Sequence, residues 1–112
     1  MQQFFNDLRQ EYIIQHSAVA GSWFSLPCVK IHGKIFAALW TDTDELIVKL
    51  PSPQREDALK REGVHLFQPL PERKPMQEWV QVPAAHAEQW PEFVHQAFEY
   101  VQTLAKAKKN KK

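Results

Sequence analysis

The segment KIFAALW, Lys34 to Trp40, constrains this chain more than any other stretch of its 112 residues. Laid out as a strand it is apolar on both faces, which suits a central strand covered by helices rather than a strand with one wet face. Its neighbours alternate instead. In VKIH, Val29 and Ile31 share one side while Lys30 and His32 share the other. In LIVKL, Leu46, Val48 and Leu50 lie opposite Ile47 and Lys49. His32-Gly33-Lys34 stands where a tight reversal is required, and Gly33 supplies the positive φ that a hairpin turn demands. TDTDE, Thr41 to Glu45, supplies the next reversal through side chains that bond back to local amides. The stretch therefore predicts a three-stranded antiparallel meander starting at Val29.

Helical periodicity brackets this sheet. Met1, Phe4, Phe5, Leu8 and Tyr12 recur at helical spacing and predict a helix ending near His16. SAVAGSWFSLP, Ser17 to Pro27, breaks the period and reads as a loop. Ser52-Pro53 opens a second helix with Ser52 as N-cap, Glu56–Lys60 and Asp57–Arg61 as pairs four residues apart, and Gly63 as its left-handed terminator. VHLFQPL and EWVQVP read as two further strands around the charged, proline-rich connection PLPERKP. Trp90, Phe93, Val94, Ala97, Phe98, Val101, Leu104 and Ala105 form a continuous stripe of a last helix, with a looser turn from Ala84. The expected fold is α+β, an antiparallel sheet of about five strands packed with three helices in a single two-layer domain over residues 1–105.

Charge separates that domain from the C-terminal segment. KAKKNKK, residues 106–112, holds five of the fourteen Lys and Arg and no acid. Residues 1–105 then carry nine basic and thirteen acidic side chains, a net of −4. A mildly acidic body and a basic tail suit different partners. With a single cysteine, Cys28, no internal disulfide forms, and a reducing cytoplasm fits. MQQFFNDLRQ lacks the basic-then-apolar order of a secretory signal, and no apolar run is long enough to cross a bilayer.

Reactive chemistry is sparse. Cys28 and His32, four residues apart on one extended strand, would sit about 13 Å from each other, too far to share a metal. Cys28 as a nucleophile would need an electropositive, partly exposed setting and a histidine base, for which the sequence gives no specific signal. Asp42, Asp44 and Glu45 lack the spacing and the glycine of a calcium loop. No phosphate loop, nucleophile elbow or dinucleotide fingerprint occurs. The expectation is a protein that is not an enzyme and uses no metal or cofactor. Trp23, Phe24, Phe36, Trp40, Phe67, Trp79 and Trp90 could stack on bases, yet most fall at core positions. Trp79, following PERKPMQE, is the one indole expected to be exposed, beside Arg73 and Lys74.

LPCVKIHGKIFAALW, LIVKLP and PMQEWVQVP together resemble the TfoX/Sxy N-terminal-domain family, relatives of the MmcQ/YjbR proteins. The likeness rests on Pro27-Cys28, Gly33-Lys34-Ile35-Phe36, Lys49 and Met76-Gln77-Glu78-Trp79, and spans roughly residues 18 to 105. It implies an α+β fold and a non-enzymatic role in transcription-related control. Action would come through a protein partner or through weak DNA binding. The contact candidates are Arg73, Lys74, Trp79, Lys106, Lys108, Lys109, Lys111 and Lys112. A second expectation is a small-molecule pocket between sheet and helices, near Cys28, His32 and Trp40.

Overall fold

A computed structural model describes the backbone of residues 1–109 and the side chains of residues 1–105. The chain runs α1 (Gln2–His16), β1 (Val19–Trp23), β2 (Leu26–Ile31), β3 (Lys34–Trp40), β4 (Glu45–Lys49), α2 (Gln54–Leu59), β5 (His65–Phe67), β6 (Met76–Val82), a 3-10 segment Ala84–Gln89 and α3 (Trp90–Lys109). The strands form one antiparallel sheet of six in the order β1-β2-β3-β4-β6-β5. The fold is α+β, as the element order implies.

The sixth strand is β1, inside the segment read as a loop. It is an edge strand that pairs only with β2, from Val19 opposite Lys30 to Trp23 opposite Leu26. An edge strand with Gly21 and Ser22 inside it fully buries no residue, and its alternation of exposed Ala20 and Ser22 with half-buried Gly21 and Trp23 carries no apolar pattern in the sequence. Pairing, rather than hydrophobic burial, defines it.

The meander forms as expected, joined by His32 and Gly33, both at positive φ (54° and 75°) in a two-residue turn. Opposite β2, β3 carries one extra residue: Val29 pairs with Ala37 but Lys30 with Ile35. Phe36 is therefore bulged, and both Phe36 and Ala37 reach the main core. This local slip lets consecutive apolar residues enter the same side, which simple alternation forbids.

The two faces of the sheet are covered differently. On one side α1 and α3 pack Phe5, Leu8, Tyr12, Phe93, Val94, Ala97, Phe98 and Val101 against Val29, Leu39, Leu46, Val48, Val80 and Val82. Trp90 is fully buried there, stacks on Phe4 at 5.9 Å and donates its indole N–H to the Pro83 carbonyl at 3.2 Å. Ala58 of α2 joins the same core. On the other face no helix packs among the described residues. That face carries a second, smaller core of Leu26, Cys28, Ala38, Ile47, Phe67 and Trp79, with Trp23, Ile35, Trp40 and Met76 packed around it. The doubly apolar β3 is thus sealed by helices on one side and by aromatic side chains on the other.

The start of α2 differs in detail from the expected cap. Its N-cap residue is Pro53, and the Ser52 hydroxyl donates to the Glu56 carboxylate at 2.7 Å rather than accepting from a backbone N–H. Of the two charge pairs, Arg61–Asp57 forms at 3.2 Å. Gly63 is not the terminator expected: α2 ends at Leu59 with Lys60 as a right-handed C-cap, and Gly63 takes its φ of +80° in the following turn, closed by the Val64 N–H on the Arg61 carbonyl.

Candidate functional site: the aromatic end of the open sheet face

The uncovered face ends in a connected set of rings. Trp23 lies 4.6 Å from Trp79, 5.1 Å from Phe24 and 5.6 Å from Phe67, centroid to centroid. Trp40 meets Phe67 edge-on at 5.7 Å, and Phe24 meets it at 6.2 Å. Phe67 is fully buried at the centre. Tilted and edge-on contacts at these distances suit the ring quadrupoles.

Three connections meet at this end. The β1–β2 reversal contributes Phe24 and Ser25, the β3–β4 reversal Thr41 and Asp42, and the segment after β5 Pro69 and Leu70. With Leu26 and Trp40 they line an open concavity of about 360 Å³. Among these eight lining residues Asp42 alone is charged. Phe24 and Leu70 are exposed, at 52% and 43% of their surface. The Leu70 segment is braced from within: the Gln68 amide donates to the carbonyls of Arg73 (2.8 Å) and Pro71 (3.3 Å), and the Arg73 N–H to that of Leu70.

Arg73 and Lys74 are exposed on this same connection. Trp79 is not the exposed indole expected beside them. It is 9% exposed, packed between Trp23 and the sheet, with Lys49 Nζ 5.8 Å from its ring centre. Its place in β6, opposite Lys49, turns it onto the open face beneath the β1–β2 hairpin. The side chains of Lys106, Lys108 and Lys109 and the whole of Lys111 and Lys112 lie outside the described residues.

The three residues expected around a ligand pocket do not converge. Trp40 lines the concavity, Cys28 is buried within the second core, and His32 is exposed in the β2–β3 turn at the opposite end of β2. Burial pushes the Cys28 thiol above its ordinary range, against the opposing fields of Lys30 and Arg9. That favours the thiol over the nucleophilic thiolate. Among the described residues no group of three or more His, Cys, Asp or Glu is placed to hold a metal ion. No described helix is long and apolar enough to cross a membrane.

A second polar constellation closes the seam between β4, β6 and α3. The Tyr100 hydroxyl donates to Glu78 at 2.5 Å, and Lys49 Nζ lies 3.6 Å from the same carboxylate. The Tyr100 hydrogen bond, then the Lys49 charge, outweigh partial burial and hold Glu78 below the usual carboxylate range. The same hydrogen bond raises Tyr100. These groups neutralise one another and tie α3 to the sheet.

A family model described as YjbR matches residues 15–100, more than three quarters of the chain. The chain belongs to the YjbR family. The matched span of this YjbR protein contains the whole six-stranded sheet and most of α3. Searches of curated proteins and of solved structures find no match.

The concavity is only partly legible in the sequence. Phe24 stands among seven aromatics and Asp42 among turn residues, but nothing in their spacing joins them across three connections. One local signal is present. In Trp23-Phe24-Ser25-Leu26 a bulky ring and a serine occupy turn positions that ordinarily take Asn-Gly.

Proposed function

We propose that this YjbR protein is a small non-enzymatic module of transcription-related control that acts by holding a protein partner on the aromatic end of its open sheet face. The observation that carries this reading is the exposure of Phe24 and Leu70 in the lining of a concavity that they share with Trp40. Exposed apolar side chains gathered at a concave site mark interaction surfaces, whereas singly scattered ones do not. The regulatory direction rests on the resemblance to TfoX/Sxy and MmcQ/YjbR proteins. The net of −4 over residues 1–105 favours a protein over a phosphate backbone as the main contact of the body. A cytoplasmic setting, in keeping with the lone buried cysteine, belongs to the same reading.

The test is affinity capture from the native cell with the parent chain and with Phe24→Asn and Leu70→Glu, followed by calorimetry on the purified captured protein. The expected result is one partner bound directly by the parent and weakened at least about tenfold by either substitution, as for a central interface anchor. Binding indifferent to both substitutions would remove this face from the function. Direct DNA contact is the second reading, favoured by the five lysines among the last seven residues. Saturable, salt-sensitive duplex binding by residues 1–105 alone would replace the partner reading with that one.

A further inference from the structure

Phe24 occupies a conformation that its side chain opposes. It lies at φ 53° and Ser25 at φ 63°, the two central positions of the turn between the Trp23–Leu26 pair. A two-residue turn with both φ positive favours Asn-Gly. A bulky residue there is an outlier, and strain of this kind collects at ligand clamps and binding sites. The ring is also left 52% exposed. Asn would relieve the backbone but forfeit the ring contacts with Trp23 and Phe67, and those contacts leave half of the Phe24 surface open to solvent. What the conformation does achieve is position: it sets Phe24 in the lining of the concavity together with Leu70 and Trp40.

The lining specifies an occupant. Aromatic and aliphatic walls call for an apolar body, and the one charge among the lining residues, Asp42, calls for a cation. Long basic side chains combine these features, an apolar stem with a charged head, and the head gains further from the faces of Trp and Phe. An open volume of about 360 Å³ admits a long basic side chain with room to spare and is too small for a folded element. Nearby acids do not compete for the role. Glu45 is engaged by the Gln81 amide, and Asp44 sits within its own turn at φ 55°. Arg73 and Lys74 stand outside the lining, and the body's net of −4 favours approach of a basic segment.

We propose that the concavity formed by Phe24, Trp40, Asp42 and Leu70 is a receptor for a single Lys or Arg side chain of the partner protein, held between the rings with its charge at Asp42. This deepens the partner reading and rests on it for the source of the side chain. The full chain, labelled with nitrogen-15, is titrated in amide-correlation NMR with N-acetyl-arginine methylamide, N-acetyl-lysine methylamide and the uncharged N-acetyl-norleucine methylamide. The expected result is saturable shifts at the Phe24, Ser25, Asp42 and Leu70 amides and the Trp40 indole N–H, with at least one cationic probe binding about fivefold more tightly than norleucine. Asp42→Asn, an exposed position, is expected to erase that preference while leaving norleucine unchanged. Phe24→Asn is expected to weaken all three probes while the amide spectrum away from the concavity keeps the parent's dispersion. Equal binding of norleucine and both cations, indifference to Asp42→Asn, or no saturable shift with any probe overturns the proposal. Those outcomes leave the partner reading standing if capture still depends on Phe24. Probe binding without any captured partner instead removes the partner reading and leaves the receptor.

Discussion

Tyr100 and Glu78 show how one pair of side chains can make stability depend on pH at both ends of the scale. The Tyr100 hydroxyl donates to a Glu78 carboxylate held below its usual range by that bond, and the same bond raises Tyr100. A lowered carboxylate contributes stability above its unfolded value and loses it as pH falls through its folded one. A raised phenol contributes below its unfolded value and loses it as pH rises through its folded one. The stability gap between the parent and Tyr100→Phe is therefore expected to be flat around neutrality, about 1 kcal/mol, and to narrow at both extremes. The size is set low because the Glu78 side chain is 43% exposed. Urea unfolding of both proteins across pH measures it, and a gap that widens toward acid would contradict the assignment. Tyr12 adds a separate alkaline effect: burial first, then Glu11, Glu92 and Glu99, push it up to about 12. Its contribution should fade between about pH 10 and 12, and Tyr12→Phe should remove that decline. Neither pair could be read from the sequence, because Tyr100 meets Glu78 across 22 positions and Tyr12 meets Phe36 and Phe98 across the core. Trp79 illustrates the reverse error. Its charged neighbours in sequence suggested exposure, but strand pairing decides which way a side chain points.

Elements with strong internal signals were legible, and those defined by their neighbours were not. The α3 stripe, the His32-Gly33 turn and the alternation of β4 carry their own evidence, and all three stand where periodicity placed them. β1 has no such signal because an edge strand of mostly small or polar residues is specified by the ladder it joins. The candidate site suffers in the same way: Phe24, Asp42 and Leu70 come from three separate connections, and their meeting is a property of strand order. The exit from α2 is the place where one local residue sets the path of an element. Gly63 at φ +80° would place an added Cβ 3.0 Å from Pro83 Cγ, so a substitution meets both a backbone penalty and a rigid ring. Gly63→Ala is expected to destabilise by about 1–2 kcal/mol, read as a lower urea midpoint with an unchanged slope. An unchanged midpoint would mean that the α2–β5 connection has another conformation of similar stability.

At the scale of the molecule, charge is arranged along the chain rather than around the fold. Residues 1–105 carry a net of −4, while residues 106–112 add five lysines. A folded body of this sign repels duplex DNA on approach, and a lysine-rich segment attracts it whatever the body does. The two contributions separate through salt. Neutralising Z phosphates makes log affinity fall against log salt with a slope of about −0.9Z. A tail contacting the duplex through all five lysines gives a slope of about −4 to −5, and its removal should abolish binding rather than reduce it. The expected outcome for fluorescence anisotropy is weak binding by the full chain at low salt, lost near physiological salt, and none by residues 1–105 under either condition. Arg73→Ala with Lys74→Ala in the full chain should then change the slope by less than about one, because these two side chains share their exposed connection with the acid Glu72. If the shortened chain binds, and the double substitution weakens it equally across unrelated sequences, the exposed connection after β5 is itself a phosphate contact. The aromatic end of the sheet would then face nucleic acid, and its rings would be read as a stacking platform rather than as walls for a basic side chain.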